Sequence, residues 1–294
     1  MNISDFYRKF NKEINEKISD ALNEDRVKND VTSLRLFSSP DLNRDKRITA
    51  KLVCKENCVL AGFEIFKKVF RNVDKKLIVK EYFKDGDRLK KNTIVSEISG
   101  RVIKILQSER VALNFIQRMS AVATITSRFV SRLKYKNSKI LHTRKTTPNF
   151  RLFEIAAVKI GGGDFHRFGL NSSVLIKDNH IKSAGSLTKV LDLFKKSNTK
   201  KKSEKLEIEV KSLNELNEVV KKGNGLVKVV MLDNFNPELV STAVEILKKN
   251  NIKIELSGGI NEENFGEFQF KGIDYYSIGL LTHSYKSVDF SLEF

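Results

Sequence analysis

The sequence is poor in cysteine and proline, with two and three residues among 294, and no part of it approaches the ~18 consecutive apolar residues that span a bilayer. Two cysteines exclude a disulfide scaffold. The first residues, MNISDFYRKFNKE, lack the apolar segment of a signal peptide, so we expect a cytoplasmic protein without a membrane partner. The 20 phenylalanines and the 40% apolar content supply a core, which excludes global disorder. The length predicts two domains or one large one.

The sequence also has fewer acidic than basic residues. The 36 aspartates and glutamates are outnumbered by 54 lysines and arginines, which gives a net charge of +18. Such a balance favours anionic partners: phosphates, carboxylates or nucleic acid. Most of the excess is lysine scattered over predicted helix faces, and the dense run Lys195–Lys205 is interrupted by Ser, Asn and Thr. No RNA-binding signature accompanies the charge. We therefore interpret it as a solvated surface that can also steer a small anion, and we expect no nucleic-acid partner.

The first hundred residues predict a small α+β unit. Phe6, Phe10, Ile14, Ile18 and Leu22 recur every four residues, the spacing of one helix face. Short β-rich runs separated by turn residues follow: ITAKLVCKENCVLAG, KLIVKEYF, NTIVSEIS and RVIKIL. Cys54 and Cys58 lie within them, and no second cysteine pair completes a zinc site, so we expect buried or edge-strand thiols.

From about Ser108 onward, strand-like and helix-like runs alternate. This pattern is typical of parallel strands joined by right-handed helical crossovers, and six or seven such units favour an incomplete βα barrel over a flat sheet. Each predicted strand ends in residues capable of chemistry. Since the carboxyl ends of barrel strands meet at one rim, we expect an active site there. These strand ends are Arg144-Lys145, Lys177-Asp178-Asn179, Glu209, Asp233-Asn234, Ser257-Gly258-Gly259 and Gly279.

The residues expected at the rim predict a site for a multiply anionic ligand. Four cations converge there, with His166 beside one of them, and only Glu209 and Asp233 are evident as acids to neutralise them. Paired carboxylates near a phosphorylated ligand usually hold Mg²⁺ or ribose hydroxyls. The four cations are Arg144, Lys145, Arg167 and Lys177.

Other rim residues refine this reading. Ser257-Gly258-Gly259 would let backbone N–H groups approach a phosphate, although a tight βα turn explains the same triplet. The four histidines have no zinc-site spacing. From the residues alone, we predict an enzyme that handles a phosphorylated sugar and an acidic co-substrate.

Six sequence blocks resemble those of the quinolinate phosphoribosyltransferase family, also called nicotinate-nucleotide diphosphorylase (carboxylating). The likeness extends from about Ile18 to Asp289, with the motifs in order and with similar N-terminal and interdomain segments, ALNEDRVKNDVTS and SERVALNFIQRMSAVAT. The six blocks are HTRKTTPNFR, GGGDFHRFGL, VLIKDNHI, VMLDNF, ELSGGIN and YYSIGLLTHS.

The resemblance implies an α/β fold: an N-terminal α+β open-faced sandwich over residues 1–112 and a distorted, incomplete TIM-like βα barrel over 113–283, with the tail 284–294 packing back on the first domain. It implies transfer of phosphoribose from phosphoribosyl diphosphate to quinolinate. The products would be nicotinate mononucleotide, diphosphate and CO2, in NAD biosynthesis. Mg²⁺ would be needed but no organic cofactor, because the cationic ring nitrogen stabilises the carbanion left by CO2.

The same resemblance implies a role for each site residue. It also implies a homodimer, or a larger even-numbered assembly, in which Arg110 of one chain completes the active site of its partner. Lys145, Glu209 and Asp233 would be catalytic, and the two acids would also bind ribose and Mg²⁺. The quinolinate ligands would be Arg110, Thr143, Arg144, Lys145, His166, Arg167 and Lys177. The phosphate ligands would be Ser257, Gly258, Gly259, Ile278, Gly279 and Leu280.

The chain departs from the family pattern at two places. His142 precedes TRKT where Asp is frequent, and Asp164-Phe165 precede His166-Arg167 where Asn commonly precedes His.

The sequence leaves other functions open. The alternative functions are those of a nicotinate phosphoribosyltransferase, of the molybdenum-transport-associated paralogue, and of a non-enzymatic basic RNA-binding protein. The full cation set favours a dicarboxylate substrate.

Overall fold

A computed structural model describes residues 1–37, 45–197, 206–223 and 225–294 of the chain. The chain forms two compact units. The first comprises Met1–Arg128, Thr146–Gly162 and Ser284–Phe294, and the second comprises Phe129–Lys145 and Gly163–His283. In the described residues no helix combines the length and the apolar character needed to cross a membrane.

Helices and strands are numbered in chain order. Apart from a 3-10 turn at Val27–Asn29, the elements are α1 Ile3–Lys9, α2 Asn11–Glu24, α3 Val31–Leu36, β1 Arg47–Cys54, β2 Cys58–Val59, α4 Phe63–Val73, β3 Ile78–Glu81, β4 Arg88–Leu89, β5 Thr93–Arg101, α5 Val102–Ser131, β6 Lys139–Leu141, α6 Arg151–Ile160, β7 Val174–Ile176, α7 Asp178–Ala184, α8 Leu187–Ser197, β8 Leu206–Val210, α9 Leu213–Lys222, β9 Val227–Asp233, α10 Pro237–Lys249, β10 Lys253–Ser257, β11 Tyr275–Ser277, α11 Leu280–His283 and β12 Phe290–Glu293.

The N-terminal helical stripe is real but interrupted. Phe6, Ile14 and Ile18 are buried as the spacing predicts. The helix is interrupted at Phe10, which is the C-cap residue of α1 and the N-cap residue of α2. At the other end of α1, the Asn2 side chain caps the helix by accepting a hydrogen bond from the Asp5 N–H at 2.8 Å. The stripe therefore forms two short helices rather than one.

The first unit contains an antiparallel sheet with strand order β12-β1-β5-β3. Along β1, Ala50 and Leu52 are buried whereas Thr49 and Lys51 are exposed, the alternation of a sheet covered on one face. The last strand of the chain, β12, pairs with β1 with Leu292 opposite Leu52, so residues 284–294 belong to this unit.

The predicted β-rich run RVIKIL is wrong beyond its first residue. Strand β5 ends at Arg101, and Val102 begins the 30-residue helix α5. A short apolar run fits a strand and a buried helix equally well, which is why the pattern misled. The domain boundary expected between residues 112 and 113 falls inside this helix.

The second unit is a six-stranded parallel sheet with strand order β6-β11-β10-β9-β8-β7. All six strands predicted in this half are present, and helices lie in every connection between them except the one from β10 to β11. There the run NEENFGEFQF, expected to be helical, forms turns instead. Leu141 of β6 also forms a parallel bridge with Asp164. Within the described residues no ladder joins β6 to β7. The predicted α/β fold class is confirmed.

Strand register places chemistry-bearing residues at one level of this sheet. Ser257 of β10 lies opposite Asp233 of β9 on one side and Ser277 of β11 on the other, and Ser277 lies opposite Leu141 of β6. Because all strands run in the same direction, the residues that follow them emerge on one rim.

Candidate active site

A cavity of about 660 Å³ lies at the carboxyl ends of these strands, and every residue that lines it belongs to the second unit. All of the predicted site residues except Arg110 line this cavity. Arg110 is an exposed residue of α5 in the first unit. The predicted residues brought together are Thr143, Arg144, Lys145, His166, Arg167, Lys177, Glu209, Asp233, Ser257, Gly258, Gly259, Ile278, Gly279 and Leu280.

The loop after β6 presents Arg144 and Lys145. The hydroxyl of Thr282 donates a 2.6 Å hydrogen bond to the backbone carbonyl of Lys145, which ties this loop to α11. Arg167 lines the cavity too, and burial together with the nearby Arg144 charge lowers the pKa of its guanidinium. Such crowding of like charges is the electrostatic signature of a site built for anions.

Lys177 and Glu209 meet directly. Lys177 is the N-cap residue of α7, and its Nζ donates a 2.7 Å hydrogen bond to Oε2 of Glu209 in the fully buried strand β8. The Lys177 backbone N–H is satisfied by Nδ1 of His180 at 2.9 Å, which fixes the start of the helix. The carboxylate is thus partly neutralised by a half-exposed lysine.

Asp233 ends β9 near Glu209. Burial, and after it the Glu209 charge, raises the pKa of Asp233, while the Asn234 side-chain amide donates to its carboxylate at 3.0 Å. Two carboxylates that repel each other at the edge of a cavity suit a divalent cation that shares them, and Mg²⁺ is commonly held by one or two carboxylates plus substrate phosphates. The pair therefore fits a magnesium ion.

The loop after β10 is shaped by two glycines with positive φ, +91° at Gly258 and +65° at Gly259. A Cβ at Gly258 would lie 2.4 Å from the Asn234 side-chain oxygen, so the loop approaches β9 as closely as its backbone allows. The Asn264 amide donates to the Gly259 carbonyl at 2.8 Å. The loop is consequently a fixed backbone surface of the kind that binds phosphates.

Sequence reasoning missed two acids of the cavity region, Glu207 and Glu255. Oε2 of each lies 3.4 Å from Nε2 of His166. Burial lowers the pKa of His166, but the two carboxylates outweigh it and raise the pKa to about 10. Burial and the Glu255 charge raise the pKa of Glu207 to about 7. The expectation that only Glu209 and Asp233 balance the cations is therefore wrong.

A signal for these acids was present in the sequence. Glu207 and Glu209 are two residues apart in the apolar run LEIEV, so they share one face of β8, and Glu255 interrupts the buried strand β10. Charged residues in a buried strand are rare unless they are paired.

The two departures from the family pattern lie beside His166. His142 is fully buried, and its Nε2 accepts the His166 backbone N–H at 3.0 Å, while its Nδ1 lies 3.2 Å from the Thr143 carbonyl. Its ring is 6.5 Å from that of Phe165. His142 thereby anchors the backbone of the segment that carries His166. Of the lysine-rich segment, Lys195 and Lys196 lie in the last turn of α8, and residues 198–205 lie outside the described residues.

Comparison with known proteins identifies the family. The chain matches the models of the quinolinate phosphoribosyl transferase C-terminal domain over residues 122–293 and N-terminal domain over residues 30–120. It is 42% identical to a probable nicotinate-nucleotide pyrophosphorylase (carboxylating) of Archaeoglobus fulgidus, over 84% of this chain and 94% of that protein. The corresponding Bacillus subtilis protein is 38% identical, over 92% and 89%. The crystal structure of NadC from Streptococcus pyogenes superposes with a TM-score of 0.86 at 37% identity, covering 96% and 95% of the chains. The chain belongs to the quinolinate phosphoribosyltransferase family.

Proposed function

We propose that this protein transfers phosphoribose from phosphoribosyl diphosphate to quinolinate with loss of CO2, giving nicotinate mononucleotide in NAD biosynthesis. One observation carries the proposal: the cavity at the strand ends combines a cation cluster, a carboxylate pair and a glycine loop on a chain that matches both domain models of the family.

The cation cluster suits the pyridine substrate. Quinolinate carries two adjacent carboxylates, which guanidinium groups bind through paired hydrogen bonds. Arg144, Lys145, Arg167 and Lys177 supply more positive charge than one carboxylate needs. The set therefore favours quinolinate over nicotinate, and both curated relatives described above are named for the carboxylating enzyme.

The glycine loop and the carboxylate pair suit the phosphoribosyl donor. The Gly258–Gly259 backbone would hold a phosphate, and Glu209 with Asp233 would hold Mg²⁺ and ribose hydroxyls. When bound, Mg²⁺ would supply positive charge that stabilises diphosphate as a leaving group. The catalytic roles given to Lys145, Glu209 and Asp233 are part of this proposal.

The chemistry needs no organic cofactor. The pyridine nitrogen attacks the anomeric carbon as the bond to diphosphate breaks, and the ring nitrogen becomes cationic. The bond to the 2-carboxyl group then breaks to release CO2. The electron pair left on C2 is stabilised by the adjacent cationic nitrogen and takes up a proton. The cations of the cavity hold the ring in place for both steps.

The proposal includes a homodimer, or a larger even-numbered assembly, in which Arg110 of one chain serves its partner's site. It rests on the family resemblance and on two facts about Arg110: it is an exposed residue of the first unit, and it is not among the residues that line the cavity. A cytoplasmic location and the absence of a nucleic-acid partner stay predictions.

A paired substrate assay tests the proposed function. Purified protein is incubated with phosphoribosyl diphosphate, Mg²⁺ and either quinolinate or nicotinate, and mononucleotide and CO2 are quantified together. We expect one CO2 per mononucleotide from quinolinate and no significant product from nicotinate. Turnover of nicotinate without turnover of quinolinate would support the nicotinate phosphoribosyltransferase alternative.

A further inference from the structure

Glu207 and Glu255 have no role in the reaction as described so far, although they contact His166, which the family resemblance assigns to quinolinate. The two glutamates project from different strands, β8 and β10, and both approach the same ring nitrogen of His166. Their side chains are 10% and 1% exposed, and that of His166 is 13% exposed. Buried charges are tolerated when they are paired, and both the burial and the pairing distinguish this cluster from an ordinary ion pair on the protein surface.

The geometry favours a proton on Nε2 of His166. An unprotonated Nε2 would turn its lone pair toward two carboxylate oxygens, which is repulsive whenever either acid is ionised, whereas Nε2–H is attracted to both. The second oxygens of Glu207 and Glu255 are buried and make no hydrogen bond to any described residue. The imidazole is therefore a principal source of compensating charge for both acids, and a fully protonated ring balances them better than a neutral one.

The other ring nitrogen remains for the ligand. Among the described residues, Nδ1 of His166 has no hydrogen-bond partner, and His166 lines the cavity next to Arg167. Arg167 also lies in the field of the same two glutamates, which oppose the lowering of its pKa by burial and by Arg144. A ring fixed with Nε2 turned toward the acids presents Nδ1 to the cavity, and Nδ1 is a donor there when the ring is an imidazolium.

We propose that Glu207 and Glu255 are positioning residues that hold His166 as an imidazolium, with Nε2 turned toward them and Nδ1–H left as a cationic donor to a carboxylate of the pyridine substrate. The inference rests on the proposed function, because it assigns the chemistry of the pyridine subsite. It adds two residues that act through His166 and do not themselves contact substrate.

Three variants test the inference kinetically: Glu207→Gln, Glu255→Gln and the double variant. A lost charge-assisted hydrogen bond is worth about tenfold, so we expect the KM for quinolinate to rise by about tenfold or more, with the KM for phosphoribosyl diphosphate changed less than about twofold. Glu207→Asp should recover part of the loss. Asp85→Asn, an isosteric change at a buried carboxyl of the first unit, is the matched control and should leave both KM values unchanged.

Nitrogen-15 NMR of the histidine rings measures the protonation state of His166 directly, and it can be applied to the wild-type protein. This protonation state would not change in the variants if Glu207 and Glu255 had only a structural role. His166 resonances are assigned by their loss in His166→Gln. We expect a wild-type imidazolium at pH 7.5 and a neutral ring in the double glutamine variant. A neutral wild-type ring would overturn the inference even where the glutamine variants fail to fold.

Two other outcomes would also overturn it. One is an unchanged KM for quinolinate in folded variants. The other is a stoichiometric divalent metal ion, measured by mass spectrometry of the purified protein and lost in the glutamine variants, because the three ligand atoms lie within 4.8 Å of one another and could hold such an ion. Failure of wild-type protein to consume quinolinate would instead reject the proposed function, and the NMR result would still report the charge of His166.

Discussion

The ammonium group of Lys177 donates a 2.7 Å hydrogen bond to the Glu209 carboxylate, so a cation assigned to quinolinate and an acid assigned to Mg²⁺ are direct partners. The subsites proposed for quinolinate and for Mg²⁺ are therefore electrostatically coupled. Any change at one partner alters the charge that the other presents to its own ligand.

The first prediction concerns this pair. Glu209 is 5% exposed and Lys177 is 44% exposed, so Lys177→Ala leaves a buried carboxylate without its partner, whereas Glu209→Gln leaves a lysine that can reach water. We expect Lys177→Ala to lower the free energy of unfolding by about 1–3 kcal/mol and Glu209→Gln to lower it less. Urea denaturation at pH 7 measures both. Equal stability of Lys177→Ala and wild type would show that the pair contributes nothing to the fold.

The second prediction separates binding from stability at the cation cluster. Arg167→Ala and Lys145→Ala should each reduce kcat/KM for quinolinate by at least about tenfold, because each removes a charge-assisted hydrogen bond to substrate. Neither should lower the melting temperature appreciably, since Lys145 is exposed and Arg167 is crowded by Arg144. Thermal melts accompany the kinetics. Unfolding of both variants would mean that these cations are structural ion-pair partners.

The third prediction tests the phosphate loop. Gly258→Ala introduces a Cβ at φ +91° that lies 2.4 Å from the Asn234 side chain, whereas Gly185→Ala has a φ of +98° with nothing within 4 Å. Both carry the conformational cost of about 1–2 kcal/mol, but only Gly258→Ala also displaces the loop. We expect it to raise the KM for phosphoribosyl diphosphate well above that of the Gly185→Ala control. Equal KM values would place the phosphate elsewhere.

The sequence was informative where pattern and chemistry coincide. Strand–helix alternation located all six barrel strands, and the residues that follow them line one cavity because parallel strands share a direction. The pattern gave a wrong prediction at Val102, where a short apolar run read as a strand begins helix α5. It also gave no sign that the regular apolar spacing around Phe10 is divided between two helices. These outcomes depend on tertiary packing, which periodicity does not encode.

The buried acids illustrate a different limit. Glu207 and Glu255 are far apart in the chain, and their shared contact with His166 exists only once β8, β9 and β10 are in register. The sequence could indicate that a charge was buried, but it could not indicate its partner. The proposed role of Arg110 in the partner's active site came from the family resemblance alone, because Arg110 does not follow any of the predicted strands.

The fourth prediction concerns pH. The Asp85 carboxylate accepts the Phe63 N–H at 2.8 Å at the start of α4, and burial raises the pKa of Asp85 from 3.8 to about 6. The folded state therefore binds more protons than the unfolded state between about pH 4 and pH 6, and this group's contribution to stability falls as pH rises through that window, by up to about 3 kcal/mol.

Asp85→Asn keeps an oxygen acceptor for the Phe63 N–H and removes the titration. Unfolding free energies measured in urea from pH 4 to pH 7 should show the variant gaining stability relative to wild type as pH rises. Parallel curves for the two proteins would show that Asp85 titrates alike in both states.

The fifth prediction tests whether active sites are shared between chains. If Arg110 serves the partner's site, each site combines Lys177 of one chain with Arg110 of the other. Homodimers of Arg110→Ala and of Lys177→Ala should then both be nearly inactive, because every site lacks one cation. In a mixed dimer, one site carries both defects and the other carries neither, so co-expression should restore activity in proportion to the share of heterodimers. Arg167→Ala can replace Lys177→Ala where stability limits the latter, since both residues line the same cavity. With heterodimers confirmed by native mass spectrometry, an absence of recovery would mean that Arg110 acts within its own chain, or not at all in binding quinolinate.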